Sequence, residues 1–111
     1  MNLSELAEKQ REYFSTGKTL AVEERKKALL KLREGIIRRE KEIFDALGAD
    51  LGKSACEAYM TEIGMVLEEL RYQIRHVRAF SRPRRVRTPL MHFPAVSRVY
   101  PEPYGLVLVM A

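Results

Sequence analysis

The chain is 111 residues with 46% hydrophobic and 32% charged side chains, an ordinary soluble composition that excludes a disordered or low-complexity protein. One cysteine, Cys56, excludes an internal disulfide framework and fits a reducing compartment. The net charge of +5 is uneven: all eight basic residues after Leu70 are arginines, and they meet a single acid, Glu102.

Met1 to Ser15 is polar and has no apolar core of a signal peptide, so the expected location is cytoplasmic. Asn2 with Glu5 resembles a capping box and opens a first helix. Leu3, Leu6, Ala7, Tyr13 and Phe14 share a face, and Gly17 is the stop. A second helix is predicted from about Thr19 to about Leu47, on the stripe Val22, Leu29, Leu32, Ile36, Ile43 and Leu47, with Gly48 and Gly52 ending it. Ser54 and Glu57 repeat the capping pattern. They start a third helix, which runs on Tyr59, Ile63, Val66, Leu67, Leu70, Ile74 and Val77 to about Phe80 and is stopped by Pro83. These helices make a segment over residues 1–81.

Residues 82–95, rich in arginine and proline, read as an extended connector. Residues 96–111 read as strand, turn, strand. Val96, Arg98 and Tyr100 alternate, Pro101 to Gly105 form the turn, and Leu106 to Met110 is a continuous apolar run. Such a run suits a strand buried on both faces of a parallel sheet. It is also far short of the roughly 20 residues that span a bilayer. The expected fold is therefore mainly α, three helices and then a β-hairpin-like segment, with the last run opening an α/β core that the chain does not reach.

Several motifs, taken in order, resemble the opening of class 3 and fatty-aldehyde-type aldehyde dehydrogenases. They are Gly17-Lys18-Thr19, Asp50 to Ser54, Glu57-Ala58-Tyr59, Thr61 to Gly64, Val66 to Leu70, the connector from Pro83 to Leu90, and Glu102 to Val109. The resemblance covers about Phe14 to Ala111. It implies an N-terminal fragment of an enzyme that oxidises an aldehyde to a carboxylate with NAD or NADP, usually as a homodimer. It implies further that the rest of the fold is this segment's partner, and that the segment is inactive alone and holds no cofactor. In the family the catalytic cysteine, the glutamate base, the oxyanion-holding asparagine and the cofactor turn come later. No catalytic, cofactor-binding or metal-binding residue is therefore assigned here.

Each tempting residue has a plainer reading. Cys56 sits near a helix start but has no base beside it, so it reads as an incidental thiol. His76 and His92 have no further ligand at metal-binding spacing, and His76 is expected on a solvated helix face. Gly48, Gly52, Gly64 and Gly105 do not form a phosphate-binding pattern, which needs a strand before it and a helix after. Arg71, Arg75, Arg78 and Arg82 share a face, and Arg84, Arg85 and Arg87 extend it, as a nucleic-acid binder could use. The connector lacks aromatics spaced for base stacking, so no specific nucleic-acid partner is expected. The two alternative functions are a small helical interaction module that docks on another chain and, behind it, the nucleic-acid-binding domain.

Overall fold

The computed structural model describes residues 2–110. Their order is α1 (Leu3–Ser15), α2 (Val22–Arg38), α3 (Glu40–Leu51), α4 (Ala55–Ala58), a π turn (Tyr59–Ile63), α5 (Gly64–Phe80), β1 (Arg84–Val86) and β2 (Ser97–Val99). Short 3-10 turns lie at Lys18–Leu20 and Leu90–His92. The chain is mainly helical with one two-stranded antiparallel sheet, the fold class expected from the sequence. It forms two compact units. One joins the residues up to Glu24 with those from Arg78 onward, and the other is Arg25–Val77.

In the first unit α1 starts with the expected capping box. The Asn2 Oδ1 accepts from the backbone N–H of Ser4 and Glu5, while the Asn2 N–H donates to Glu5 Oε2 at 3.2 Å. Reciprocal bonds of this kind satisfy donors that the first helical turn leaves open. Arg84, Arg85 and Val86 pair with Val99, Arg98 and Ser97. The hairpin is closed by Thr88, whose Oγ1 accepts from the Ser97 N–H at 2.9 Å and donates to Ser97 Oγ at 2.9 Å. Glu23 pairs with Arg78. A Cβ placed on Gly105 would stand 3.4 Å from the Phe14 ring, so the turn after Tyr104 closes back onto the end of α1.

In the second unit the buried side chains are Ala58, Ile63, Leu70 and Val77. The last three recur every seventh residue and so share one face of the helix. Ala58 joins them across the π turn. Ser54 caps this segment as expected, its Oγ accepting from the Glu57 N–H at 3.3 Å. Ser54→Ala should cost about 1 kcal/mol, visible as a lower midpoint in urea, while Ser54→Asp should hold the midpoint. An unchanged midpoint for the alanine variant would show that the cap carries no stability.

The structure corrects the sequence in four places. The long second helix is two helices, broken at Arg39 (φ −104°, ψ 17°), whose N–H is shared between the carbonyls of Gly35 and Ile36 at 3.2 Å. Gly35, Ile36 and Ile37 are weak helix formers just before the break. Gly48 does not stop a helix. It stays inside α3, and the end is set by Gly52, whose left-handed φ of 64° lets its N–H reach the Gly48 carbonyl. The arginine-rich connector holds β1, so the hairpin joins 84–86 to 97–99, not 96–100 to 106–110. Leu106 to Met110 are in no strand, and extended chain needs a paired neighbour to persist as one.

Candidate functional site

The predicted stripe of α2 and α3 does not form a closed core. Leu32, Ile36, Ile43, Ala46 and Leu47 line an open groove of about 900 Å³, rimmed by charges that include Arg39 and Glu42. Leu32 is 53% exposed. Small-molecule sites enclose their ligand and aim a few polar groups inward. This groove is open and its floor is aliphatic, which suits the packing of another apolar surface.

A second exposed apolar feature lies in the other unit. Leu106, Val107, Leu108, Val109 and Met110 are 43%, 64%, 78%, 82% and 87% exposed. Scattered single apolar side chains on a surface are normal, but contiguous ones mark contact sites.

Two of the quoted motifs meet at the π turn. Lys53, from the Asp50–Ser54 segment, sends its ammonium to Glu62 Oε1 at 2.5 Å and Thr61 Oγ1 at 3.2 Å, both in the Thr61–Gly64 segment. The Thr61 hydroxyl in turn donates to the Glu57 carbonyl at 2.9 Å. This network anchors the irregular turn to the loop before α4. Both segments stand out in the sequence, but the pairing spans eight and nine residues and leaves no local pattern.

The remaining residues stay apart. Cys56 is exposed, and its Sγ lies 4.0 Å from Met60 Sδ. His76 is half-buried rather than fully solvated. Its Nδ1 donates to the Tyr72 carbonyl at 2.8 Å, and its ring centroid is 4.1 Å from that of Tyr72. His92 sits exposed in a 3-10 turn. Among the described residues no three metal-ligating side chains cluster, and no helix is long and apolar enough to cross a membrane. Arg71 pairs with Glu68 one turn away, and Arg78 with Glu23, so the arginine face of α5 is partly neutralised within the chain.

The profile of the aldehyde dehydrogenase family matches residues 2–111. The chain is 39% identical to the 4,4'-diaponeurosporen-aldehyde dehydrogenase of Staphylococcus aureus over 99 residues, which are 89% of this chain and 22% of that enzyme. It is 32% identical to the dog "aldehyde dehydrogenase, dimeric NADP-preferring", over 97% of this chain and 24% of that one. A solved structure described as the substrate-bound state of Staphylococcus aureus AldH superposes with a TM-score of 0.86 at 36% identity, covering 94% of this chain and 23% of that one. The chain thus spans about a quarter or less of the length of these relatives, their N-terminal part. These matches support the dehydrogenase resemblance and give no support to a free-standing interaction module or a nucleic-acid-binding domain.

Proposed function

The chain belongs to the aldehyde dehydrogenase family, and from that premise we propose that it is the N-terminal segment of a class 3-like dehydrogenase whose chemistry is carried by the rest of the fold. In this reading the complete enzyme oxidises an aldehyde to a carboxylate, works in the cytoplasm as a homodimer, and takes up the hydride on NAD or NADP. This segment holds neither cofactor nor catalytic side chain. Its work is structural. Residues 1–81 supply a helical layer, residues 82–95 a connector, and residues 96–111 the lead into the dinucleotide-binding core. Cys56 is an exposed thiol with no base recorded beside it, whereas an activated nucleophile needs a neighbouring base or cation.

The single observation that carries this reading is the open groove. A stripe with core periodicity lines a surface groove in a chain that spans 22% of a relative, so its covering surface belongs to the remaining four-fifths. Fully burying one exposed aliphatic side chain contributes about 1.5–3 kcal/mol; Leu32 is exposed and Ile36, Ile43 and Leu47 are half-buried, so the area they still expose adds a fraction of that each to docking.

The test is a chimera in which this chain replaces the matching segment of the Staphylococcus aureus enzyme. The chimera should oxidise that enzyme's aldehyde, while the 111-residue chain alone should produce no reduced NAD or NADP. Ile36→Glu with Ile43→Lys, at two half-buried positions, should leave the isolated chain helical by circular dichroism and should abolish folding of the chimera. Turnover by the isolated chain, or a chimera indifferent to the double substitution, would refute the proposal.

A further inference from the structure

The β1–β2 ribbon sets two arginines side by side. In its register Arg85 stands opposite Arg98, between the pairs Arg84–Val99 and Val86–Ser97. Residues opposed across two antiparallel strands project from one face, with Cβ atoms about 4.5–5.5 Å apart. Both arginines are exposed. Like charges placed directly opposite destabilise a strand pair, and an isolated two-stranded ribbon is marginal even without that cost.

Three arginines elsewhere in the chain have an acid partner. Arg11 pairs with Glu8, Arg71 with Glu68, and Arg78 with Glu23. Among the described residues no such pair is recorded for Arg84, Arg85, Arg87 or Arg98, and the sole acid after Glu69 is Glu102. The ribbon is therefore a concentrated positive surface with its counter-charge outside this segment.

We propose that the Arg85–Arg98 face is a docking site for an acidic polypeptide segment that presents two carboxylates in a Glu-x-Glu or Asp-x-Asp arrangement. The chemistry is specific. A guanidinium offers a planar fork of N–H donors that matches a carboxylate with two parallel bonds. Two forks rooted on one face of a ribbon match two carboxylates rooted on one face of an extended partner, since alternate residues of a strand point the same way. Seating those carboxylates converts the cross-strand repulsion into two charge-assisted pairs, which stabilises the ribbon and the contact together. A nucleic acid is a poorer fit. Single-strand binders track many phosphates along a groove and stack bases on aromatic rings, whereas of the four arginines here only Arg85 and Arg98 are directly opposed, on a ladder of three residue pairs.

The test uses the whole chain tethered at low density, so that self-association contributes nothing, with a labelled ten-residue peptide of alternating glutamate and serine. A glutamine-for-glutamate peptide and a short DNA duplex of matched charge serve as controls. The glutamate peptide should bind, and the glutamine peptide should not. Arg85→Gln with Arg98→Gln should weaken binding at least tenfold. Arg85→Lys with Arg98→Lys, which keeps the charge and removes the forks, should weaken it at least threefold. Arg71→Gln with Arg75→Gln removes as much charge from α5 and should change it less than twofold. If circular dichroism shows that a ribbon double variant has lost its fold, Arg98→Gln alone is read in its place and should weaken binding at least threefold. Equal loss in the α5 and ribbon variants would reduce the site to a diffuse field and overturn the proposal. A duplex that binds more tightly than the glutamate peptide would also overturn it, in favour of nucleic acid.

Discussion

Gly64→Val is expected to unfold the start of α5, and Gly64→Ala to lower the stability of the chain by up to about 2 kcal/mol. The cause is space, not backbone angle. Gly64 has φ −61° and ψ −40°, an ordinary helical conformation that alanine adopts readily. On propensity alone alanine should stabilise this position by about 1 kcal/mol. But the π turn carries the Gly64 N–H onto the carbonyl of Tyr59, five residues back, and brings that oxygen to 2.8 Å from where a Cβ would stand, with the Tyr59 ring at 3.3 Å. The nearest atom is backbone and cannot swing aside. Forcing extra carbon into a packed site costs about 1–3 kcal/mol, and a 2.8 Å approach to a backbone oxygen puts this site above the low end of that range, beyond the propensity gain. Valine adds two further carbons and the stiffness of a β-branched side chain. The measurement is a urea midpoint for the alanine variant and circular dichroism for valine. An alanine variant more stable than the parent would mean that the turn relaxes to a regular α-helix at no cost, and that Gly64 has no packing role.

What the sequence disclosed and what it hid divide along the range of the interactions. The cap at Asn2, the cap at Ser54, and the glycine at Gly52 act over three or four residues, so the local pattern states them. The mainly helical class was equally plain from the three- and four-residue spacings. The β1–β2 register was not, because it joins residues 11 to 15 apart and one partner sits in a segment dominated by arginine and proline. The π turn left only a faint trace, a glycine five residues after Tyr59, and periodicity alone does not separate such a turn from a regular helix. At the candidate site, the sequence marked Leu32, Ile36, Ile43 and Leu47 as an apolar stripe. It could not say that the stripe lines an open groove, since periodicity tells which face is apolar and not what covers it.

The same division applies to Leu106 through Met110. Ending the chain at Gly105 is expected to cut its self-association sharply while leaving helix content unchanged. The apolar run reads as a buried strand, but in the structure it is unpaired and becomes more exposed toward its end, from 43% at Leu106 to 87% at Met110. Alternate side chains of an extended segment point to opposite sides, so no single small layer could cover all five. Its backbone N–H and C=O groups stand outside the only ladder formed by the described residues. An apolar, uncharged, unpaired run is a template for pairing with a second copy. The cut is placed after Gly105 because that residue meets Phe14 and because the β1–β2 ribbon, which ends at Val99, is then intact. A milder variant, Val107→Lys with Val109→Lys, keeps the length and puts two charges on one side of the run. It should reduce association by the same route, as charged residues protect natural sheet edges. Light scattering against concentration measures the association, and circular dichroism the helix. A parent chain that is a monodisperse monomer with a sharp thermal transition, lost in both variants, would overturn this. The run would then be part of a self-sufficient fold, not a surface awaiting its neighbours.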